Sequence, residues 1–128
     1  MMFLSSALTK AGSLTLSDEW QTLGTVGADG VFLLAAWRAN TGKMAMRVLL
    51  DGVEIVPELD LDELAGSGGL KLHSGVGGLP ISTPVTNTWV YRPSLPIRVN
   101  TSLALQFKRT TAGGTKAINY MLVEWGQR

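Results

Sequence analysis

Hydrophobic and polar residues along the chain form short β-strand patterns separated by turn residues, and one predicted strand is apolar on both faces. This strand is residues 117–125, near the end of the sequence. Successive side chains of a strand point to opposite faces. One face would carry Ile118, Tyr120 and Leu122, and the other would carry Met121, Val123 and Trp125. A strand with one solvated face alternates apolar and polar residues, so we expect both faces of this strand to be covered.

We predict that this strand pairs with residues 102–109 in a long C-terminal hairpin. The Gly-Gly pair at 113–114 lies between the two segments and tolerates positive φ at both central positions of a tight turn. In that register Phe107 lies opposite Tyr120, and the face of Tyr120 is the core face. The face of Met121 would then contact another sheet, another subunit or a larger assembly, and we predict it as an interface with a partner.

The clearest hairpin signal is Asp51-Gly52, in the middle of the β-forming residues 45–56. Asp-Gly suits a type I′ turn, in which both central residues have positive φ. A two-residue turn at this point places Val48 opposite Ile55 and makes one face of the hairpin apolar.

The remaining pattern predicts an all-β fold. Residues 19–26 and 31–39 are rich in β-forming residues, and shorter strands are expected at 88–92 and 97–99. Short strands separated by turns at roughly 8 to 12 residues are typical of a β-sandwich or barrel. We predict a single domain over residues 1–128, an antiparallel β-sandwich of the jelly-roll type, with a generic antiparallel sandwich as the alternative.

Two segments lie outside this pattern. Residues 1–12 begin with apolar residues but lack the basic start of a signal peptide and the length of a membrane span. We expect them to form either a buried first strand or an N-terminal arm that docks on a partner. Residues 66–78 contain six glycines and are therefore expected to form a loop. A phosphate-binding loop is not expected, because its Gly-Lys-Ser/Thr pattern is missing.

The composition favours a chain whose surface is partly covered by partners. Charged residues make up 16% of the 128 residues and apolar residues 45%, whereas an ordinary soluble domain has about 25% charged residues. We therefore expect a homo-oligomer. The net charge of +1 does not provide the basic patch of a nucleic-acid-binding protein. The absence of cysteine excludes disulfides, thiolate catalysis and Cys-ligated zinc.

The densest charge feature is an acidic cluster at residues 58–63. One interpretation is a solvated strand edge whose charges discourage edge-to-edge pairing. A second is a Ca²⁺ site with oxygen ligands, although the EF-hand pattern is missing. A third is an interface strip that meets basic residues of a neighbouring copy, where charge pairs select partner and register. The interface candidates are Asp60, Asp62, Glu63 and Lys108, together with Met121, Val123 and Trp125.

Two aromatic residues suggest a different kind of site. Trp89 and Tyr91 are two residues apart on a predicted strand and share a face. Beside Arg92 they can stack on a sugar ring, and the alternative is that they are ordinary core or interface aromatics. No carboxylate pair for glycoside hydrolysis accompanies them. The single histidine, His73, has no partner at a recognisable catalytic or metal-binding spacing, so we expect neither an enzyme nor a cofactor site.

The hairpin turns at Asp51-Gly52 and Gly113-Gly114, the low charge and the doubly apolar strand ending at Trp125 give the chain a resemblance to small virion proteins of tailed bacteriophages. It resembles capsid decoration or cement proteins with jelly-roll-like folds, which bind the outer capsid, often as trimers, and brace it against internal DNA pressure.

The resemblance implies a structural virion protein, assembled in the host cytoplasm, that binds the major capsid protein or another virion protein. It implies a trimer, with a dimer as the alternative, and neither nucleic acid nor membrane as a partner. The alternative function is that of a phage tail adhesin or carbohydrate-binding module.

Overall fold

The computed structural model describes residues 5–10, 12–62, 81–83, 87–93 and 95–127, and these form eleven β-strands. In chain order the strands are β1 (Ser5–Lys10), β2 (Leu14–Thr15), β3 (Gln21–Gly27), β4 (Gly30–Ala39), β5 (Met44–Leu50), β6 (Val53–Asp60), β7 (Ile81–Thr83), β8 (Thr88–Tyr91), β9 (Ile97–Arg98), β10 (Ser102–Arg109) and β11 (Ala117–Gln127). The predicted all-β class is confirmed.

The strands form two antiparallel sheets. The seven-stranded sheet has the order β1-β11-β4-β8-β7, with β2 beside β11 and β9 beside β4, and the four-stranded sheet has the order β3-β10-β5-β6. The eight principal strands are β1, β3, β4, β5, β6, β8, β10 and β11. Among these the first pairs with the last, the second with the seventh, the third with the sixth and the fourth with the fifth. This is the strand order of a jelly roll, so the predicted jelly-roll-like antiparallel sandwich is confirmed.

The predicted C-terminal hairpin is wrong, because its two strands lie in different sheets. β10 lies between β3 and β5, and β11 lies between β1 and β4. Phe107 is therefore opposite Met46 on β5, and Tyr120 is opposite Arg38 on β4. Residues 110–116 cross the edge of the sandwich, a distance of about 10 Å between packed sheets, instead of closing a tight turn. In this arrangement each of the two strands hydrogen-bonds to a neighbouring strand on both sides.

One apolar core lies between the two sheets. The fully buried residues of β10 are Leu103, Leu105 and Phe107, as predicted. The Trp37 ring on β4 meets the Phe107 ring edge-on, with 5.2 Å between the ring centroids. Because these rings belong to different sheets, this contact joins the two layers at the centre of the molecule.

Ile118 lies in the core as predicted, but beyond it β11 turns the opposite face to the core from the predicted one. Ile118 and Met121 are both 0% exposed, whereas Tyr120 between them is 40% exposed. The register with β4 shifts between Ile118 and Tyr120, which is the mark of a β-bulge. The bulge leaves Asn119 and Tyr120 both pointing outward, so that beyond it the face of Met121 enters the core.

β3 and β11 approach each other closely at Gly24, which has a φ of +89°. A Cβ atom at this position would lie 2.6 Å from Met121 Sδ and 3.2 Å from Val123 Cγ2. Only glycine combines this backbone conformation with the missing side chain. The contact brings the inner faces of the two sheets together at this edge of the core.

The predicted turn at Asp51-Gly52 is confirmed, since these residues have φ of 52° and 83°. The pairs nearest the turn follow the predicted register, but Val48 lies opposite Val56 and not Ile55, because the register shifts by one residue between β5 and β6.

Residues 5–10 of the predicted N-terminal arm form β1, an edge strand that pairs along its length with β11. These residues do form a first strand, but the predicted burial is wrong, because Leu8, Thr9 and Lys10 of this edge strand are exposed. Residues 1–4 and 11, and the predicted loop from Gly66 to Gly78, lie outside the described residues.

Candidate functional site

The structure places most of the predicted interface on β11 inside the molecule. Met121 and Val123 are 0% and 1% exposed and lie in the core, so the second sheet of the same chain covers them. For these two residues the predicted partner interface is wrong. Trp125 is half-buried against the same core, and its Nε1 donates a hydrogen bond of 2.9 Å to Thr9 Oγ1. Contact of its exposed part with a partner stays a prediction.

Two residues of the predicted charged interface strip form ion pairs within the chain. Asp62 pairs with Lys43 at 2.5 Å, and Lys108 pairs with Glu58 at 3.0 Å. The hydrogen bond from Lys43 and the charge of Asp62 raise the pKa of the Lys43 ammonium group. The distant partner Lys43 was missed by the sequence analysis, because only the fold brings it to Asp62.

The other two acidic residues of the strip give less information. Asp60 is the last residue of β6 and lies opposite Ala45 on β5, and its charge adds to the raised pKa of Lys43. Glu63 lies outside the described residues, as does His73. In the part of the chain that the structure describes, no group of three or more His, Asp or Glu side chains is placed to hold a metal ion. Contact of the strip with a neighbouring copy stays a prediction.

The aromatic pair on β8 belongs to the core. Trp89 and Tyr91 share a face, as predicted, but they are 1% and 0% exposed. The Tyr91 ring stacks on Phe32 with 5.8 Å between centroids, and burial raises the pKa of the Tyr91 hydroxyl to about 12. A ring that stacks on a sugar must be exposed, so the predicted glycan platform of Trp89, Tyr91 and Arg92 is wrong. Arg92, just after the strand, is the exposed member of the three.

The outer surface of the four-stranded sheet, here called the polar face, is covered by Trp20, Thr22, Arg47, Gln106 and Lys108. Arg47 Nε donates a hydrogen bond of 2.7 Å to Gln106 Oε1, and Gln106 Nε2 donates one of 3.1 Å to Thr22 Oγ1. The Arg47 and Lys108 cations lie 4.6 Å and 4.8 Å from the centroid of the Trp20 ring. These contacts join β5, β10 and β3, so the polar groups of this face find their partners within the chain.

The outer surface of the seven-stranded sheet is mostly apolar. The residues that alternate with buried ones on β4, β8 and β11, together with their cross-strand neighbours on β1, are here called the apolar face: Leu8, Lys10, Leu34, Ala36, Arg38, Thr88, Val90, Tyr120, Leu122 and Glu124. Leu8 is 64% exposed and Val90 37%. Grooves of about 530 Å³ and 240 Å³ lie at its two ends, one beside Arg38 and Tyr120 and the other beside Leu34. A contiguous exposed apolar patch marks an interaction site, so this face is the candidate functional site.

The sequence contains one signal that could have identified this face. Glu124 is the only charged residue of β11 and alternates with Tyr120 and Leu122. A charge on one side of an otherwise apolar strand marks the outward side, so Tyr120 and Leu122 belong with the surface. Leu8 and Val90 have no comparable signal, because only the strand order places β1 and β8 on either side of β11 and β4.

No helix within the described residues is long and apolar enough to span a lipid bilayer.

Comparison with known proteins finds a structural likeness but no sequence match. No family model matches the chain, and no curated protein matches it. A chain of the cyanophage Pam1 capsid asymmetric unit has a similar fold, with a TM-score of 0.53 and 10% sequence identity. The match covers 98% of this chain and 86% of that chain. The jelly-roll sandwich described above is therefore shared, over nearly its whole length, with a chain from a phage capsid.

Proposed function

We propose that this protein is a structural component of a bacteriophage virion, which binds the outer capsid as an oligomer and stabilises it. The observation that carries the proposal is the likeness of fold, over 98% of the chain, to a chain of a phage capsid asymmetric unit. The apolar face supports it, since a virion protein needs a surface that binds neighbours. The role requires no catalytic group and no cofactor.

The proposed mechanism is the burial of surface area in many identical copies. A stable protein interface buries on the order of 1,600 Å² in total, and a symmetric shell repeats each contact. Linked copies bind with an avidity that exceeds the affinity of a single contact. The partner is the major capsid protein or another virion protein, and assembly takes place in the host cytoplasm before the particle is released.

The alternative of a carbohydrate-binding adhesin receives no support from its predicted site, because Trp89 and Tyr91 are buried. The choice between a capsid and a tail location rests on copy number, since a shell contains many more subunits than a tail tip.

The proposal can be tested on purified phage particles. Quantitative mass spectrometry should find the protein in a fixed, high ratio to the major capsid protein, and antibody labelling should cover the outside of the shell. Particles that lack the protein should release their DNA at a lower temperature than complete particles. Absence from mature particles would overturn the virion role, and a few copies confined to the tail would overturn the capsid location.

A further inference from the structure

We propose that the apolar face binds the same face of a second copy of this chain around a two-fold axis. In this arrangement Leu122 lies near the axis, and Arg38 of each copy lies beside Glu124 of the other. The inference rests on the oligomeric part of the proposed function, for which it names the interface.

Cross-strand pairing orders the apolar face into three rows. The middle row is Lys10, Leu122, Ala36 and Val90. One end row is Tyr120, Arg38 and Thr88, and the other is Leu8, Glu124 and Leu34. The centre of the face is therefore apolar, and its charged groups lie at the ends and at the β1 edge. An apolar centre with a polar rim is the usual anatomy of a protein–protein interface.

Two of the three charges on this face, Arg38 and Glu124, are complementary under a two-fold rotation. The third, Lys10, lies at the β1 edge, where its ammonium group is 5.1 Å from the centroid of the Tyr120 ring of its own chain. Arg38 lies in one end row and Glu124 in the other, on the adjacent strands β4 and β11. Four residues of strand separate the rows, about 14 Å, which is too far for an ion pair within one copy. Neither side chain has a hydrogen bond or ion pair with any described residue. A two-fold axis over the middle row, perpendicular to the strands, exchanges the end rows and brings each Arg38 to the Glu124 of the second copy.

The size of the face fits a dimer of this kind. The four strands that carry the face, β1, β11, β4 and β8, span about 19 Å at the usual strand spacing, and five to six residues of strand span about 20 Å. The flat area is then about 400 Å², before the relief of the side chains is added, against about 800 Å² of accessible surface per partner in a standard interface. Sheets stacked face to face pack about 10 Å apart, which leaves room for the Tyr120 and Leu122 side chains of both copies.

The occupant is a second copy because the face is self-complementary. A two-fold interface uses the same patch on both subunits, and here one patch carries both members of the charge pair. The polar face does not offer this combination, since Arg47 and Lys108 already contact Trp20 and other residues of their own sheet. With 16% charged residues in the whole chain, two such charges on one apolar face are enough to fix its register.

Light scattering on the full chain gives the first test. We expect a molar mass of twice the 13.7 kDa of the chain, which dissociates on dilution. A monomer at every concentration, or a trimer, would overturn the two-fold interface.

A matched pair of substitutions locates the interface. Leu122→Glu places a carboxylate opposite Lys10 on the apolar face, and Leu49→Lys places an ammonium group opposite Glu54 on the other sheet. Each new charge faces an opposite charge in the monomer, so both variants should fold with the circular dichroism spectrum of the wild type. We expect Leu122→Glu to be monomeric and Leu49→Lys to remain a dimer. The same mass for both variants would overturn the assignment.

Charge exchange tests the register. Arg38→Glu and Glu124→Arg should each raise the dissociation constant by about tenfold or more, because each places two like-charged pairs across the axis. The double variant restores both pairs and should return to within a fewfold of the wild-type constant. If the loss of binding free energy in the double variant equalled the sum of the two single losses, the pairing of Arg38 with Glu124 would be contradicted.

The outcomes separate this inference from the proposed function. A wild-type monomer that is still abundant on capsids overturns the self-association and leaves the virion role standing, with the apolar face as the surface that meets the capsid. A protein that is a dimer in solution but is missing from purified particles overturns the virion role and leaves the self-association standing.

Discussion

The charged side chains on the two outer faces of the sandwich differ in whether they have hydrogen bonds and ion pairs within the chain. On the polar face, Arg47 contacts Gln106, Glu54 and the ring of Trp20. On the apolar face, Arg38 and Glu124 have no hydrogen bond or ion pair with a described residue. Among the described residues, the charges of the polar face are paired with one another, whereas the apolar face exposes apolar area and two charges without such contacts.

The contacts of the polar side chains on a face therefore indicate whether that face is suited to binding another molecule. A polar network whose members hydrogen-bond one another is stabilising and rigid, and it gains little from a partner that must desolvate it. An apolar sheet face gains about 25 cal/mol for each Å² of apolar surface removed from water. Substitutions on the polar face should therefore change stability, and substitutions on the apolar face should change association.

The largest expected effect is in the core that both faces share, at adjacent residues of β8. Trp89 is 1% exposed and Val90 is 37% exposed. We expect Trp89→Ala to lower the free energy of unfolding by about 3–5 kcal/mol, the usual result of truncating a buried aromatic residue. Val90→Ala is the control, and it should cost less than about 1 kcal/mol. Urea denaturation measures both. Equal midpoints for the two variants would contradict the assignment of the inner and outer faces of this sheet.

The next effect tests the close approach of the two sheets. Gly24→Ala adds a methyl group within 2.6 Å of Met121 Sδ at a φ of +89°, so it combines a strained backbone with overpacking. We expect a loss of about 2–4 kcal/mol in the free energy of unfolding. The control is Gly27→Ala on the same strand, where an added methyl meets nothing within 4 Å. If Gly24→Ala matched Gly27→Ala in thermal stability, the sheets would not be in contact at this point.

A smaller effect separates the two faces directly. The Trp20 ring lies under the Arg47 and Lys108 cations of the polar face, and each such contact is worth about 0.5–1 kcal/mol at an exposed site. Trp20→Ala should therefore cost about 1–2 kcal/mol of stability while leaving the solution mass of the protein unchanged. Trp20→Phe keeps an aromatic ring under the cations and should recover much of the loss. A change of mass in Trp20→Ala would show that the polar face also takes part in association.

The sequence was sufficient for features that depend on local chemistry. Asp51-Gly52 forms the expected turn because both residues tolerate positive φ. Gly113 and Gly114 also have positive φ, 95° and 71°, yet the residues around them cross from one sheet to the other. Backbone tolerance tells where a chain can turn, but not which sheet the next strand joins.

The candidate site could not be derived from the alternation pattern for a related reason. β11 is apolar on both faces apart from Glu124, so a single charge is all that distinguishes its surface side from its core side. The bulge at Asn119–Tyr120 then moves Ile118 and Met121 to the same side of the strand, which no strict two-residue period allows. Strand order had to be known before Leu8, Val90 and Tyr120 could be placed on one surface.

The smallest expected effect concerns the Asp51 carboxylate, whose hydrogen bonds lie within the four-stranded sheet. The Asp51 carboxylate accepts hydrogen bonds from the backbone nitrogens of Thr101 at 2.6 Å and Ser102 at 3.0 Å. These bonds favour the ionised form and hold the pKa of Asp51 below its ordinary value of 3.8. A group whose pKa is lowered on folding stabilises the protein above its unfolded pKa, and this contribution is lost as the pH falls through the folded value.

Asp51→Asn isolates that contribution, because Asn-Gly suits the same type I′ turn and the amide oxygen can still accept a hydrogen bond. We expect the wild type to be slightly more stable than the variant at neutral pH, since the hydrogen bonds to a charged acceptor are the stronger ones. The difference should be constant above about pH 5 and shrink steadily below about pH 4. Thermal unfolding of both proteins across this range measures it. A difference that does not change with pH would mean that the turn, and not the carboxylate charge, holds Asp51 against the start of β10.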